Sequence, residues 1–170
     1  MMEHKIIKDN GLILRKANES DCEIILELIK ELAVYEKMLD KVTGTIETLK
    51  KSLFEKKAAE VILAEYENKV IGYALYFYNF STFLGKAGIY LEDIYVKPEY
   101  RGKGFGKTLL SQIAVIAKEN ECDRVEWACL NWNKPSIDFY ESLGAVNQDE
   151  WRVYRLTTQE IEKLAAESAS

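Results

Sequence analysis

Histidine, proline and cysteine are scarce in this 170-residue chain, which holds one, two and three of them respectively. With His4 as the only histidine, a histidine general base, a His–Asp pair and a histidine-rich metal site are all disfavoured, so no metal is expected. Acid–base chemistry then falls to carboxylates, tyrosine or water. Cys22, Cys122 and Cys129 are scattered and form no C-x-x-C pair, which argues against a disulfide framework and against structural zinc. No apolar run approaches the ~20 residues of a membrane span, and no membrane association is expected. Residues 1–10 are charged, without the apolar stretch of a secretory leader, so they are expected to be loosely ordered and the protein cytoplasmic. Positive charge is also in deficit. A net charge of −5 disfavours nucleic acid, whose phosphates call for a basic surface, and is compatible with a cationic partner.

What remains is the composition of a folded domain, with 48% hydrophobic and 30% charged residues. The length suits a single domain over residues 1–170, and no Gly/Ser-rich linker or repeat interrupts it. Residues 12–16 predict a short strand. Asn18, with Asp21 three residues on, predicts a capped helix to about Glu36, its stripe formed by Ile25, Leu28, Ile29 and Leu32. A second helix is expected from near Thr45 through Leu49 and Phe54. Residues 61–66 and 70–78, joined by Glu67-Asn68-Lys69, read as a hairpin, and residues 89–96 as a further strand. A helix follows from Gly104 to about Asn120, then a strand at 124–129. Residues 135–143 predict a short helix that ends on Gly144, and residues 151–156 a last strand. Thr157 with Glu160 predicts a capping box for a final helix. Hairpins followed by strand–helix crossovers predict an α/β fold: a mixed sheet with helices on both faces.

The segment Arg101-Gly102-Lys103-Gly104-Phe105-Gly106-Lys107-Thr108 lies between a strand and a strong helix. Three glycines allow backbone to approach a ligand, and the amides of the helix start point at any anion above them, which suggests a phosphate or pyrophosphate. A nucleoside-triphosphate loop needs glycine where Arg101 stands, and the dinucleotide fingerprint needs glycine at Lys107, so both motifs fail. A glycine-rich turn without a ligand is the remaining alternative.

The pattern that fits is Arg101-x-x-Gly104-x-Gly106. It resembles the pyrophosphate loop of the GNAT family of acetyl-CoA-dependent N-acetyltransferases. The preceding Tyr90-Leu91-Glu92-Asp93-Ile94-Tyr95-Val96 and the later Asn131-Trp132-Asn133-Lys134-Pro135-Ser136-Ile137-Asp138-Phe139-Tyr140 resemble that family too. Together with residues 28–36 and Tyr100-Arg101-Gly102, they resemble its spermidine/spermine (diamine) and thialysine acetyltransferase branch, over nearly the whole chain.

The resemblance implies a mostly antiparallel central sheet and transfer of acetyl from acetyl-CoA to a primary amine of a small cationic substrate: a polyamine, a diamine or a lysine-like amino acid. It implies Tyr140 as proton donor to the departing thiolate, and Glu92 as the carboxylate that holds the ammonium and takes its proton. It implies contact of the backbone of Ile94, Tyr95 and Val96 with the pantetheine, and of residues 101–107 with the diphosphate. Asn133, Lys134, Pro135 and Ser136 also touch the cofactor in that family, although Asn133 can equally cap its helix. Tyr35, Glu36, Glu126, Trp127, Ala128 and Asp149 are implied on the substrate side. Only Gln148-Asp149-Glu150 precedes Trp151-Arg152, a shorter acidic stretch than in the polyamine enzymes, which favours a shorter diamine or a lysine-like amino acid. The branch is commonly homodimeric. A non-catalytic CoA-binding module and a peptide or protein N-acetyltransferase are the competing readings.

Overall fold

The computed structural model describes residues 5–8 and 10–168. Two compact units make up the chain, Met1–Ala128 and Cys129–Ser170. The first is built on a six-stranded sheet in sequential order: β1 (Lys5–Ile7), β2 (Ile13–Lys16), β3 (Glu60–Tyr66), β4 (Lys69–Ser81), β5 (Lys86–Val96) and β6 (Val125–Glu126). All neighbours are antiparallel except β5 and β6. The β3–β4 turn is tight because Glu67 and Asn68 both take positive φ, at 50° and 62°, the twist that a two-residue hairpin needs. The parallel step from β5 to β6 runs through helix α3 (Phe105–Glu119), as a parallel connection requires. This is the mixed, mostly antiparallel α/β sheet with helices on both faces that the sequence predicts.

Helix α1 (Cys22–Tyr35) buries the predicted stripe: Ile25 and Leu28 are fully enclosed, in one cluster with Leu53, Val61, Leu63, Tyr73 and Tyr95. Its entry is fixed by polar contacts. The Asn18 side chain accepts from the Ser20 amide at 2.9 Å, and Asp21 accepts from the Asn18 amide at 2.8 Å. Asp21 also takes two bonds from Arg15 of β2, at 2.7 and 2.8 Å, and the same guanidinium reaches Glu65 of β3 at 2.5 Å. A buried cation is tolerable there because two carboxylates surround it. Helix α3 packs against β4 and β5 and buries Phe105, Leu109 and Ile113.

Several elements differ from expectation. Lys5–Ile7 pairs with β2 as a strand, although residues 1–10 are expected to be loosely ordered; the rest of that expectation falls partly on residues 1–4 and 9, outside the described ones. The second helix is a short α2 (Ile46–Lys50) that widens into a π-turn over Lys51–Glu55. The strand expected at 124–129 is only the two residues of β6. Residues 151–156 form no strand, because a strand exists only through a partner and the sheet ends at β6. In the second unit, α4 (Lys134–Ser142) carries Pro135 in its first turn and stops at Gly144, whose φ is +89°. The Thr157–Glu160 capping box opens α5 (Thr158–Glu167) as predicted. Along β4 and its hairpin to β5, Tyr73 and Tyr76 are core, while Tyr78, Phe80 and Phe83 are exposed.

Candidate active site

After β5 the chain makes a single turn over Pro98–Tyr100 and enters α3 through Gly102 and Gly104, with φ of +77° and +80°. A residue with a Cβ is strained in that left-handed region, which accounts for both glycines. Nothing lies within 4 Å of where a Cβ would sit on Gly102, Gly104 or Gly106, so the three glycines face open space. Gly104 is the N-cap of α3 and supplies no side-chain acceptor, and no acidic residue stands in the first turn. The first amides of a fifteen-residue helix are thereby left for an external anion. Lys107 is exposed in that first turn, and the Lys103 ammonium lies 5.2 Å from the Tyr66 ring centre and 5.7 Å from that of Tyr100. The loop therefore fits a diphosphate in charge and in space.

The strand leading into the loop is half paired. β6 joins β5 only at Ile89↔Val125 and Tyr90↔Glu126, so residues 91–96 have no strand partner on that side of the sheet. Ile94, Tyr95 and Val96 lie on this open stretch, where an extended ligand can add itself as a strand would. On the other side a β-bulge interrupts the pairing with β4: Tyr76 faces Leu91, Leu75 faces Asp93, and Glu92 has no partner. Ile94 and Val96 keep the expected alternation, and Glu92 is the extra residue of the bulge. Leu91 and Asp93, though two residues apart, face opposite sides of the sheet. Glu92 is exposed on the bulge.

Asp93 is the carboxylate turned inward. Its Oδ2 accepts from the hydroxyl of the fully buried Tyr73 at 2.9 Å. Burial raises the Asp93 pKa, the Tyr73 bond offsets part of that, and the charge of Glu92 adds to it. Burial and then the Asp93 charge raise the pKa of Glu36, which follows α1. Among the described residues neither Asp93 nor Glu36 is in an ion pair. The arrangement places two carboxylates outside any ion pair where α1 ends beside β5.

That end of α1 is fastened to β5 by polar contacts. Tyr95 donates to Glu31 at 3.2 Å, and Lys97 pairs with Glu31 at 3.0 Å. Burial, and next the Glu31 charge, push the Tyr95 phenol up to about 12. Arg101 donates from Nε to the Val96 carbonyl at 2.9 Å, and its guanidinium carbon lies 5.0 Å from the Tyr35 ring centre and 5.5 Å from that of Tyr95.

Other predicted residues are placed differently. The Glu126 carboxylate accepts from Asn79 at 2.9 Å and lies 3.0 Å from Arg124 Nε, so it is already engaged. Trp127 and Ala128 follow it without regular structure. Tyr140 stands in the last turns of α4, its ring 5.4 Å from Phe139. Asn133 is buried at the N-cap of α4 and makes no cap bond with its side chain, while Lys134 pairs with Asp138 at 2.6 Å; Pro135 and Ser136 complete the first turn. Asp149 is exposed. Asp93, Tyr73 and Glu31 are absent from the residues expected from sequence. For Asp93 the adjacent Glu92 was the available signal, but which of the two turns inward depends on the register against β4 and was not legible.

Among the described residues no cluster of three or more histidine, cysteine or acidic side chains is set to hold a metal, and no helix is long and apolar enough to cross a membrane. Residues 15–145 match the acetyltransferase (GNAT) family. The chain is 40% identical over 166 residues to a thialysine N-epsilon-acetyltransferase of Bos taurus, covering 91% of this chain and 97% of that one. It is 43% identical over 128 residues to an L-ornithine N5-acetyltransferase of Arabidopsis thaliana, covering 72% and 56%. The structure is similar to that of an integron cassette protein of V. cholerae, with a TM-score of 0.76 and 27% identity over 91% of this chain and 97% of that one.

Proposed function

The chain belongs to the acetyltransferase (GNAT) family, and from that premise we propose that it acetylates a primary amine of a short diamine or a lysine-like amino acid. It is an N-acetyltransferase of small amines, and acetyl-CoA is the co-substrate of its family. The observation that carries the site is the open space above Gly102, Gly104 and Gly106 at an uncapped helix start. The amides there hold the diphosphate, with Lys103 and Lys107 beside it. The free edge of Ile94, Tyr95 and Val96 pairs with the pantetheine amides. Asn133, Lys134, Pro135 and Ser136 are further cofactor contacts in this reading. Bound acetyl-CoA supplies an activated thioester.

An aliphatic amine is almost wholly protonated at neutral pH, its ordinary pKa being about 10.4. Glu92 receives the ammonium and takes its proton, directly or through water, and Tyr140 gives a proton to the departing thiolate. The carboxylates of Asp93 and Glu36, together with Tyr35, draw the cationic substrate in, and Asp149 is a further carboxylate for it in this reading. Two relatives, named for thialysine and ornithine, are both acetyltransferases of amino acids that carry a second amine, which supports this class over the longer polyamines. Glu126, held by Asn79 and Arg124, shapes the pocket with Trp127 and Ala128 rather than meeting the amine. The enzyme works in the cytoplasm as a homodimer, for which the exposed Tyr78, Phe80, Phe83 and Leu84 supply apolar contact area.

Release of free CoA is measured with thialysine, lysine, ornithine, putrescine, spermidine and spermine. The highest kcat/KM is expected for one of the amino acids or for putrescine. Turnover confined to spermine overturns the substrate assignment, and calorimetry without any acetyl-CoA binding overturns the site.

A further inference from the structure

Arg101 opens the glycine loop, yet its side chain is turned back toward the strand and α1. Nε donates to the Val96 carbonyl at 2.9 Å. The guanidinium lies within cation–π range of two rings, Tyr35 at 5.0 Å on the last turn of α1 and Tyr95 at 5.5 Å on β5. These contacts join three parts of the first unit that sequence alone leaves separate: the helix end, the strand end and the loop. The Tyr95–Glu31 bond and the Lys97–Glu31 pair reinforce the same junction.

We propose that Arg101 is a positioning residue, which fixes the edge of the diphosphate loop by stacking on Tyr35 and Tyr95 and binding the Val96 carbonyl, so that acetyl-CoA affinity depends on Tyr35. This rests on the reading of residues 102–106 as the diphosphate site. The physical reason is preorganisation. Gly102 and Gly104 give the loop its left-handed turns and no side-chain anchors, so the free loop has wide conformational freedom. A planar guanidinium that stacks on aromatic rings and bonds a carbonyl removes part of that freedom before the ligand arrives. Tyr35 belongs to the amine side of the site, which makes its effect on acetyl-CoA a distinctive signature. A charge that reached the diphosphate by itself would need no ring.

The experiment titrates the full chain with acetyl-CoA by calorimetry, comparing wild type with Arg101→Met, Arg101→Lys, Tyr35→Leu, Tyr35→Phe and the Arg101→Met/Tyr35→Leu double variant. Arg101→Met, Arg101→Lys and Tyr35→Leu are each expected to weaken binding by about three- to tenfold, the range of cation–π contacts at a partly exposed site. Tyr35→Phe, which keeps the ring, is expected to bind as wild type. The double variant is expected to be no weaker than the worse single, because both remove one contact. Wild-type affinity in Tyr35→Leu or in Arg101→Lys overturns the proposal and returns Arg101 to a direct charge contact. A wild type that binds no acetyl-CoA overturns the diphosphate site itself, and this inference with it.

Discussion

Tyr73 donates its hydroxyl to Asp93 Oδ2 at 2.9 Å, from a side chain wholly buried on β4 to a carboxylate on β5. Their register places them on one face of the sheet, since Tyr73 pairs with Tyr95 and Leu75 with Asp93. Burial first, and the Asp93 charge second, push the Tyr73 phenol far above its usual range, so it stays a hydrogen-bond donor. Residues 91–93 thus turn one carboxylate inward and leave Glu92 outward. A half-buried carboxylate held by one phenol, with no paired cation among the described residues, attracts a cationic substrate and is costly to the fold.

Asp93→Asn is therefore expected to stabilise the protein at neutral pH while weakening amine binding. The Asp93 pKa is raised in the folded state, so its contribution to stability is fully present below the unfolded value and is lost as pH rises through the folded one. Glu36 shifts in the same direction for the same cause. Asparagine keeps an acceptor for Tyr73 and carries no charge to desolvate. The difference in Tm between Asp93→Asn and wild type should be smallest at acid pH and grow towards neutrality. The amine KM should rise by about three- to tenfold, the scale of a lost charge–charge attraction of about 1 kcal/mol. A Tm difference that is constant with pH sinks the electrostatic account.

Gly106→Leu separates binding from folding by opposite signs. Gly106 lies inside α3 with no positive φ, so leucine gains about 0.5–1 kcal/mol in helix propensity. Its Cβ position meets nothing within 4 Å in the free protein, and the longer side chain projects where the diphosphate is proposed to sit. A raised Tm with about tenfold weaker acetyl-CoA binding is expected. Gly104→Ala should instead lose stability, because φ at +80° is costly for any residue with a Cβ. If Gly106→Leu binds acetyl-CoA as tightly as wild type, the ligand lies elsewhere.

The parts of the fold that were legible are those governed by short-range rules. The Asn18–Asp21 capping box, the Glu67–Asn68 turn, the α1 stripe and the Gly144 stop all depend on neighbours within a few residues. The glycine loop was legible for the same reason, since positive φ at Gly102 and Gly104 is written into the residue type. What escaped depends on distant partners. Residues 151–156 include Trp151, Val153 and Tyr154, which favour strands, but pairing decides whether one forms. The bulge at Glu92 arises from the register of β5 against β4, which no property of residues 89–96 encodes. Arg101 reads as an anion ligand from its motif, while its stacking on Tyr35 spans sixty-six positions of sequence and is visible only in three dimensions.

Arg15 tests the scaffold independently of the site. It lies between Asp21 and Glu65 with nine per cent of its side chain exposed, and truncation leaves two carboxylates without their cation. Arg15→Met should cost about 3–5 kcal/mol, read from urea midpoints. Burial raises the Asp21 pKa, but the Arg15 bond and the Asn18 amide outweigh it, so the net shift is downward. That stability is present above the unfolded carboxylate value and is lost as pH falls through the folded one. In wild type the acid limb of the stability curve should therefore fall steeply, and in Arg15→Met it should flatten. An unchanged midpoint removes the triad from the fold's energetics.

Tyr140→Phe addresses the chemistry in its narrowest form, since it deletes one oxygen and keeps the ring against Phe139 in α4. Thiolate departure gains from a proton in the transition state, and a positioned acid contributes about 10²-fold or more. At neutral pH kcat should fall on that scale, while acetyl-CoA affinity stays near wild type because Tyr140 stands outside the glycine loop. The split between kcat and binding makes the test specific, because a residue that only packs would lower Tm or acetyl-CoA affinity along with the rate. A variant with unaltered kcat assigns proton delivery to water and leaves Tyr140 as a packing residue.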